Sequence, residues 1–336
     1  MHPADPGATA LLTHGRIEVR GRLVDASNAT LFCEVSHDGV TAEAVYKPVR
    51  GERPLWDFPD GTLAGREVAT YLVSAASGWD LVPPTVLRDG PFGPGMVQLW
   101  VDTDPERELV DVVPPEKVPE GWRAVLRAHD RLGEPAVLAH ADHPGVRRLA
   151  VFDVVVNNAD RKGGHVLHGV DGSVYGVDHG ICLHVEDKLR TVLWGWLGEP
   201  LPEEAVAVLR RLREDVDGAL GEQLAEHLTR KEVQGRGGPG GPAAGRRGVP
   251  RALLGVAGDS LAGVLTPAPD GSPAWRGRRG APPPPRLTRV PGGPVVGERP
   301  AGHTQQERRQ VPHVVVGPVH HQREGQQREH DQAVAG

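Results

Sequence analysis

The sequence predicts an α+β protein of two lobes, and three observations carry that expectation. Alternating apolar positions run through the first hundred residues, broken by one helical stripe. Residues 102–120 are acidic and rich in proline, as a boundary between lobes would be. Beyond them, helical periodicities enclose a short hairpin. Strands with one helix, a hinge, then helices around a hairpin make a two-lobed α+β arrangement.

Taken in order, residues 1–14 read as a loose leader. Arg16–Asp25 alternates, with Ile17, Val19 and Leu23 on one face, and Thr30–Ser36 follows as a second strand. The turn between them, Asp25 to Ala29, offers backbone N–H groups and the Ser27 hydroxyl to a phosphate. Asp38-Gly39 marks the next turn, and Thr41–Pro48 makes a third strand that carries Lys47. Val68, Ala69, Leu72, Val73 and Ala76 then recur at helical spacing over Leu63–Ala76. Glu67 lies beside that stripe, where it would turn inward to a strand lysine. A lysine held by a helix glutamate is a device for orienting nucleotide phosphates. Trp79–Leu87 and Gly95–Val101 supply two more strands, and Gln98 to Asp102 leads out of the first lobe.

In the second lobe, helices are expected over Glu120–Leu132, Pro144–Val156, Leu201–Arg213 and Asp217–Leu228. Pro144 suits the first helical position. Two tryptophans in Lys188–Glu199 are expected to pack on the core.

The chain centres on Val151–Gly180, VFDVVVNNADRKGGHVLHGVDGSVYGVDHG. Val166-Leu167 and Val174 to Val177 form a hairpin turned by Asp171-Gly172. Asp160, His165 and Asp178 would emerge at adjacent ends of it. Two carboxylates and an imidazole on a rigid hairpin suit a divalent cation together with an oxygen nucleophile.

The remaining third is a different material. Residues 233–336 hold fourteen arginines, seven acidic residues, no lysine and one aromatic, Trp275. That tail carries +7 against −6 for the whole chain, leaving −13 for residues 1–232. A segment of this composition cannot bury enough apolar surface to offset its chain entropy. It is expected to be a disordered basic tail, or the translation of a GC-rich gene in a shifted reading frame after Glu232. The acidic body argues against nucleic acid as a partner, since phosphate neutralisation needs clustered Lys and Arg. Cys33 and Cys182 have neither zinc spacing nor a disulfide framework. With no leader peptide and no transmembrane segment in the pattern, a cytoplasmic protein is expected.

Lys47, Glu67, Asn158-Ala159-Asp160-Arg161 with His165, and Val177-Asp178-His179-Gly180 together resemble the phosphatidylinositol 3-/4-kinase-like family, in a bacterial branch of unassigned substrate. The resemblance covers about residues 11–232. It implies a protein-kinase-like fold, with a β-rich first lobe over 15–101 and a mainly helical second lobe over 102–232. It implies ATP and Mg²⁺ or Mn²⁺ as cofactors, and transfer of the γ-phosphoryl group to a hydroxyl acceptor. Asp160 would orient or deprotonate that hydroxyl, and Asp178 would hold the cation. Lys47, steadied by Glu67, would contact the phosphates under the Ser27-Asn28 turn. Gln98 and Trp100 would lie on the adenine side. Two positions depart from the family pattern: His165 stands for an Asn ligand and His179 for a Phe. The acceptor is expected to be a protein or small molecule rather than lipid, because the body has no basic amphipathic helix. Two other classes remain in view. One is a nucleotide-binding pseudokinase without transfer. The other is a metallohydrolase drawing on His140, Asp142, His143, His165, Asp178, His179 and His184.

Overall fold

The computed structural model describes residues 1–23, 28–58, 61–130, 132–230 and 232. Ser27 and the segment 233–336 lie outside the described residues.

The first part is a five-stranded antiparallel sheet with a helix on each face. Its strands are β1 (Arg16–Arg22), β2 (Leu31–His37), β3 (Val40–Pro48), β4 (Thr85–Gly90) and β5 (Gly93–Leu99), in the order β1-β2-β3-β5-β4. Asp38 and Gly39, with φ of 47° and 78°, make the tight turn between β2 and β3. Residues 1–14 are no loose leader: Ala8–His14 form α1, and Ala8, Leu11 and Leu12 are buried beside Val35, Ala44 and Val97.

Strand parity then decides where Lys47 points. Ala42, Ala44 and Tyr46 are buried toward α1, so Lys47 belongs to the opposite face. Its cross-strand partner Met96 shares that face and packs on Ala64 and Val68 of α2 (Leu63–Ser77). Lys47 therefore faces α2. Thr62 caps α2 by accepting from Gly65 N, and the Glu52 carboxylate accepts from Leu63 N and Ala64 N at 3.0 and 2.8 Å. An anion suits that positive helix end. Gly78, at φ 70°, ends the helix in the left-handed region.

The second part adds a sheet to the expected helices and hairpin. A three-stranded antiparallel sheet comes first: β6 (Val110–Val113), β7 (Trp122–His129) and β8 (Pro135–Ala141), in the order β6-β8-β7. The helix expected over Glu120–Leu132 is thus β7. Then follow α3 (Pro144–Val155), the hairpin β9 (Val166–His168) and β10 (Val174–Gly176), α4 (Glu203–Val216) and α5 (Ala219–His227). Trp196 is buried and stacks near His140, ring centres 4.5 Å apart, whereas Trp194 is only partly covered.

Helix α2 belongs to both parts. Its Ala69 and Val73 join Leu149 and Phe152 of α3, Leu209 and Leu212 of α4, and Leu224 of α5 in one core. Arg66, buried on the same helix, donates to the Cys182 carbonyl at 3.0 Å and pairs with the buried Glu232. Among the described residues no helix is long and apolar enough to cross a membrane.

Candidate functional site

Three segments remote in sequence meet at Lys47. Its Nζ donates to Glu67 Oε1 at 2.7 Å and to Asp178 Oδ1 at 2.9 Å. The other Asp178 oxygen lies 3.4 Å from His165 Nε2. Glu67, 2 % exposed, uses its second oxygen to accept the backbone N–H of His179 at 2.9 Å. The helix glutamate thus holds both the strand lysine and the turn that carries Asp178.

Electrostatics keep the pair charged. Burial works against the Lys47 ammonium, but the Asp178 and Glu67 carboxylates outweigh it and raise its pKa. Lys47 in turn holds the Asp178 carboxyl well below the usual carboxylate range, against the opposing effect of burial. Burial lowers the pKa of His165, with Asp178 opposing, so its imidazole is biased toward neutral. The Asp178 backbone sits at φ 63°, an uncommon conformation for a residue with a side chain. Strain of that kind persists where surrounding structure holds it.

Asp160 follows from the loop beyond α3. Its N–H donates to Asn158 Oδ1 at 3.0 Å, and its carboxylate is 2.8 Å from Lys162 Nζ. Asn157, at φ 51°, ties the same loop to the segment after the hairpin. Its side chain donates to the carbonyls of His184 and Glu186 and accepts from Lys188 N.

The remaining expected positions make contacts of their own within the first part. Asn28 Oδ1 accepts from Arg53 N at 3.0 Å, which ties it to the segment that follows β3. Gln98 is buried, with its amide donating to Thr85 at 2.8 Å inside the sheet. Trp100 is half-buried, edge-on to Phe32 at 5.0 Å, and its backbone N–H donates to the Glu43 carbonyl.

Among the described residues, the histidines of the hydrolase alternative are engaged separately. His140 Nε2 accepts from Gly195 N, His143 caps α3 by accepting from Gly145 N, and His184 accepts from Glu186 N. Among the described residues no three His, Cys, Asp or Glu side chains gather as metal ligands.

Sequence reasoning gave no role to Asp153 or to Arg161, both buried. Asp153 accepts from Asn158 Nδ2 at 2.9 Å, from Thr191 Oγ1 at 2.8 Å, and from Arg161. The signal was there: a carboxylate inside the apolar run Val151–Val156 requires a buried partner.

No family model matches the chain. Among solved structures, the Golgi casein kinase aligns at 13 % identity with a TM-score of 0.41, over 77 % of this chain and 72 % of that one. The Helicobacter pylori proinflammatory kinase CtkA aligns at 11 % identity with a TM-score of 0.34, over 70 % of this chain and 88 % of that one. Protein Rv2133c of Mycobacterium tuberculosis (strain ATCC 25618 / H37Rv) is 54 % identical over 233 residues, 67 % of this chain and 84 % of that protein. At that identity and coverage, the chain belongs to the family of Protein Rv2133c of Mycobacterium tuberculosis.

Proposed function

We propose that this chain is an ATP-dependent phosphotransferase with a protein-kinase-like fold, of the phosphatidylinositol 3-/4-kinase-like type. It transfers the γ-phosphoryl group to a hydroxyl of a protein or small molecule. The observation that carries this reading is the convergence of Glu67, Lys47 and Asp178, with His165 on the far side of Asp178. A strand lysine steadied by a helix glutamate and facing a turn carboxylate is an arrangement suited to nucleotide phosphates.

Each group has a task its surroundings support. Lys47 keeps its charge and neutralises phosphate oxygens. Glu67 fixes where that charge sits. Asn28, tied to the segment after β3, borders the phosphates, while Gln98 and Trp100 border the base. Asp160 accepts the proton of the acceptor hydroxyl or aligns it for attack.

A divalent cation fits Asp178 and His165. The donor set is an ionised carboxylate and, facing it at 3.4 Å, Nε2 of a half-buried imidazole. Two protein ligands are few, which suits Mg²⁺ or Mn²⁺ completed by phosphate oxygens and water. When bound, such a cation supplies charge neutralisation to the phosphates.

The test is ATP binding and turnover by the full chain with Mg²⁺ and with Mn²⁺. Saturable binding that Lys47→Met abolishes supports the reading; absence of binding with either cation overturns it. A second reading, nucleotide binding without transfer, is favoured by the Lys162 ammonium lying against the Asp160 carboxylate. Binding with no turnover on any hydroxyl acceptor would select it.

A further inference from the structure

Arg161 is buried, and every nitrogen of its side chain is engaged. Nε lies 3.1 Å from both Asp153 oxygens, and Nη2 donates to Asp153 Oδ1 at 2.8 Å. Nη1 donates to the carbonyls of His165, at 3.2 Å, and Val177, at 3.0 Å. Nη2 also meets His179 Nε2 at 2.6 Å. A guanidinium only donates, so this His179 nitrogen accepts and the ring carries its proton on Nδ1.

The positions reached are not scattered. Asp160 immediately precedes Arg161, His165 is one of its acceptors, and Val177 and His179 flank Asp178. One side chain therefore spans the loop that bears Asp160 and His165 and the turn that bears Asp178. The His165 carbonyl also accepts Val177 N–H at 3.1 Å, so the two segments are joined at one oxygen.

Stability alone does not account for this choice of residue. Removing two charges from water costs several kcal/mol, and apolar replacements of buried ion pairs are often as stable. A planar fork with five donors gives instead a set of fixed directions, which a lysine's single ammonium cannot copy. Asp178 at φ 63° needs such support. It has Glu67 on the N–H of His179 and Arg161 on the carbonyl of Val177.

We propose that Arg161 is a positioning residue that sets the spacing between the Asp160–His165 loop and the Asp178 turn. Its consequence for cation-dependent nucleotide binding rests on the phosphotransferase reading. The spacing itself does not.

The experiment compares full-length Arg161→Lys with the parent in two measurements. Hydrogen exchange should lose protection over residues 162–166 and 176–180 while the cores of α4 and α5 stay protected. Binding of an ATP analogue should keep its affinity without divalent cation. The tightening caused by Mn²⁺ should fall roughly 10–100-fold, as when the residues that orient metal ligands are lost. Unchanged protection in both segments overturns the proposal, as does uniform loss throughout the chain. A parent that binds no nucleotide overturns the phosphotransferase reading instead, and the exchange result still decides the role of Arg161. Should Arg161→Lys not fold, His179→Leu removes one acceptor and leaves the Asp153 pair intact. It should show the same local loss, smaller in extent, and no local loss overturns the proposal.

Discussion

Lys47 Nζ and Asp178 Oδ1 are 2.9 Å apart, although 131 residues separate them in the chain. Each stabilises the other's charge, and each is a group the proposed reaction needs for a different ligand. Under that proposal, incoming phosphate oxygens would draw on Lys47 while a cation would draw on Asp178, and the two ligands together would release the pair.

Lys47→Met and Asp178→Asn should each abolish cation-dependent ATP binding, whereas Asp160→Asn should bind normally and lose transfer by roughly 10²–10⁴-fold. In the proposed reaction the first two groups act on phosphates and cation in the ground state, whereas Asp160 acts as the acceptor reacts. Calorimetry of ATP binding alongside turnover separates the outcomes. Full turnover in Asp160→Asn would remove it from the reaction.

His165→Asn should move cation preference from Mn²⁺ toward Mg²⁺. Neutral imidazole nitrogen suits Mn²⁺ better than Mg²⁺, and an amide oxygen reverses that order. Electron paramagnetic resonance of Mn²⁺ with ATP present reads the change without any need for turnover. Equal Mg²⁺ and Mn²⁺ affinities in both proteins would make His165 a bystander.

Stability should fall on acidification from about pH 7 to 5. Burial lowers the pKa of His140, and its ring has no room for a second proton: Nδ1 donates to the Ala141 carbonyl while Nε2 accepts from Gly195. The unfolded chain takes up that proton first, at a pKa near 6.5. Below that pH the unfolded state binds more protons, so folding weakens until the native ring also protonates. One such histidine changes the slope by at most about 1.4 kcal/mol per pH unit. Urea midpoints measured from pH 7.5 to 5.5 should show the fall, and His140→Asn should flatten it.

Asp171→Ala should destabilise the fold by roughly 2 kcal/mol, as expected for losing hydrogen bonds to a charged group. Its carboxylate closes the β9–β10 turn, accepting from Ser173 N, Tyr175 Oη and the His2 ring. Burial alone would raise its pKa, yet these bonds lower it to about 2. The stability it confers is therefore full above about pH 4 and is lost as pH falls toward 2. Tyr175, pushed up to about 12 by burial and by Asp171, should return toward 10 in the variant, which ultraviolet titration reads.

Leu12→Ala should cost about 2–4 kcal/mol, the usual range for a buried leucine. Leu12 is fully buried in the core under α1. A change within a few tenths of a kcal/mol in a denaturant titration would mean the leader is dispensable.

Much of this architecture was legible because local pattern and tertiary contact agree. Alternation in β3, the stripe of α2, Pro144 at the start of α3 and Asp171-Gly172 in the hairpin all say what the packing says. The same holds for the site: Lys47, Glu67, His165 and Asp178 meet as their places on these elements require. Failures came where the signals conflict. A register shift between Ala124 and Leu126 breaks the two-residue period of β7, leaving Trp122, Val125, Leu126 and His129 at helical spacing. Pairing with β8 overrides that pattern. Helix α1 is seven residues long with no side-chain cap, so Ala8, Leu11 and Leu12 had no start signal beside them. Arg161 stood in a motif without a role of its own, because its side-chain partners come from three separate stretches of chain.

The buried pairing of Arg66 with Glu232 joins residues 166 positions apart, and it seats the helix that carries Glu67. Protein synthesis runs from the other end. The first sheet can close on the ribosome soon after Leu99 emerges, but α2 lacks its α4, α5 and Glu232 contacts until most of the chain is made. A nascent chain stalled before residue 179 would hold Lys47 without the His179 N–H that fixes Glu67 beside it. Nucleotide capture would thus arrive late in translation, as a property of the finished body rather than of the sheet that bears the lysine.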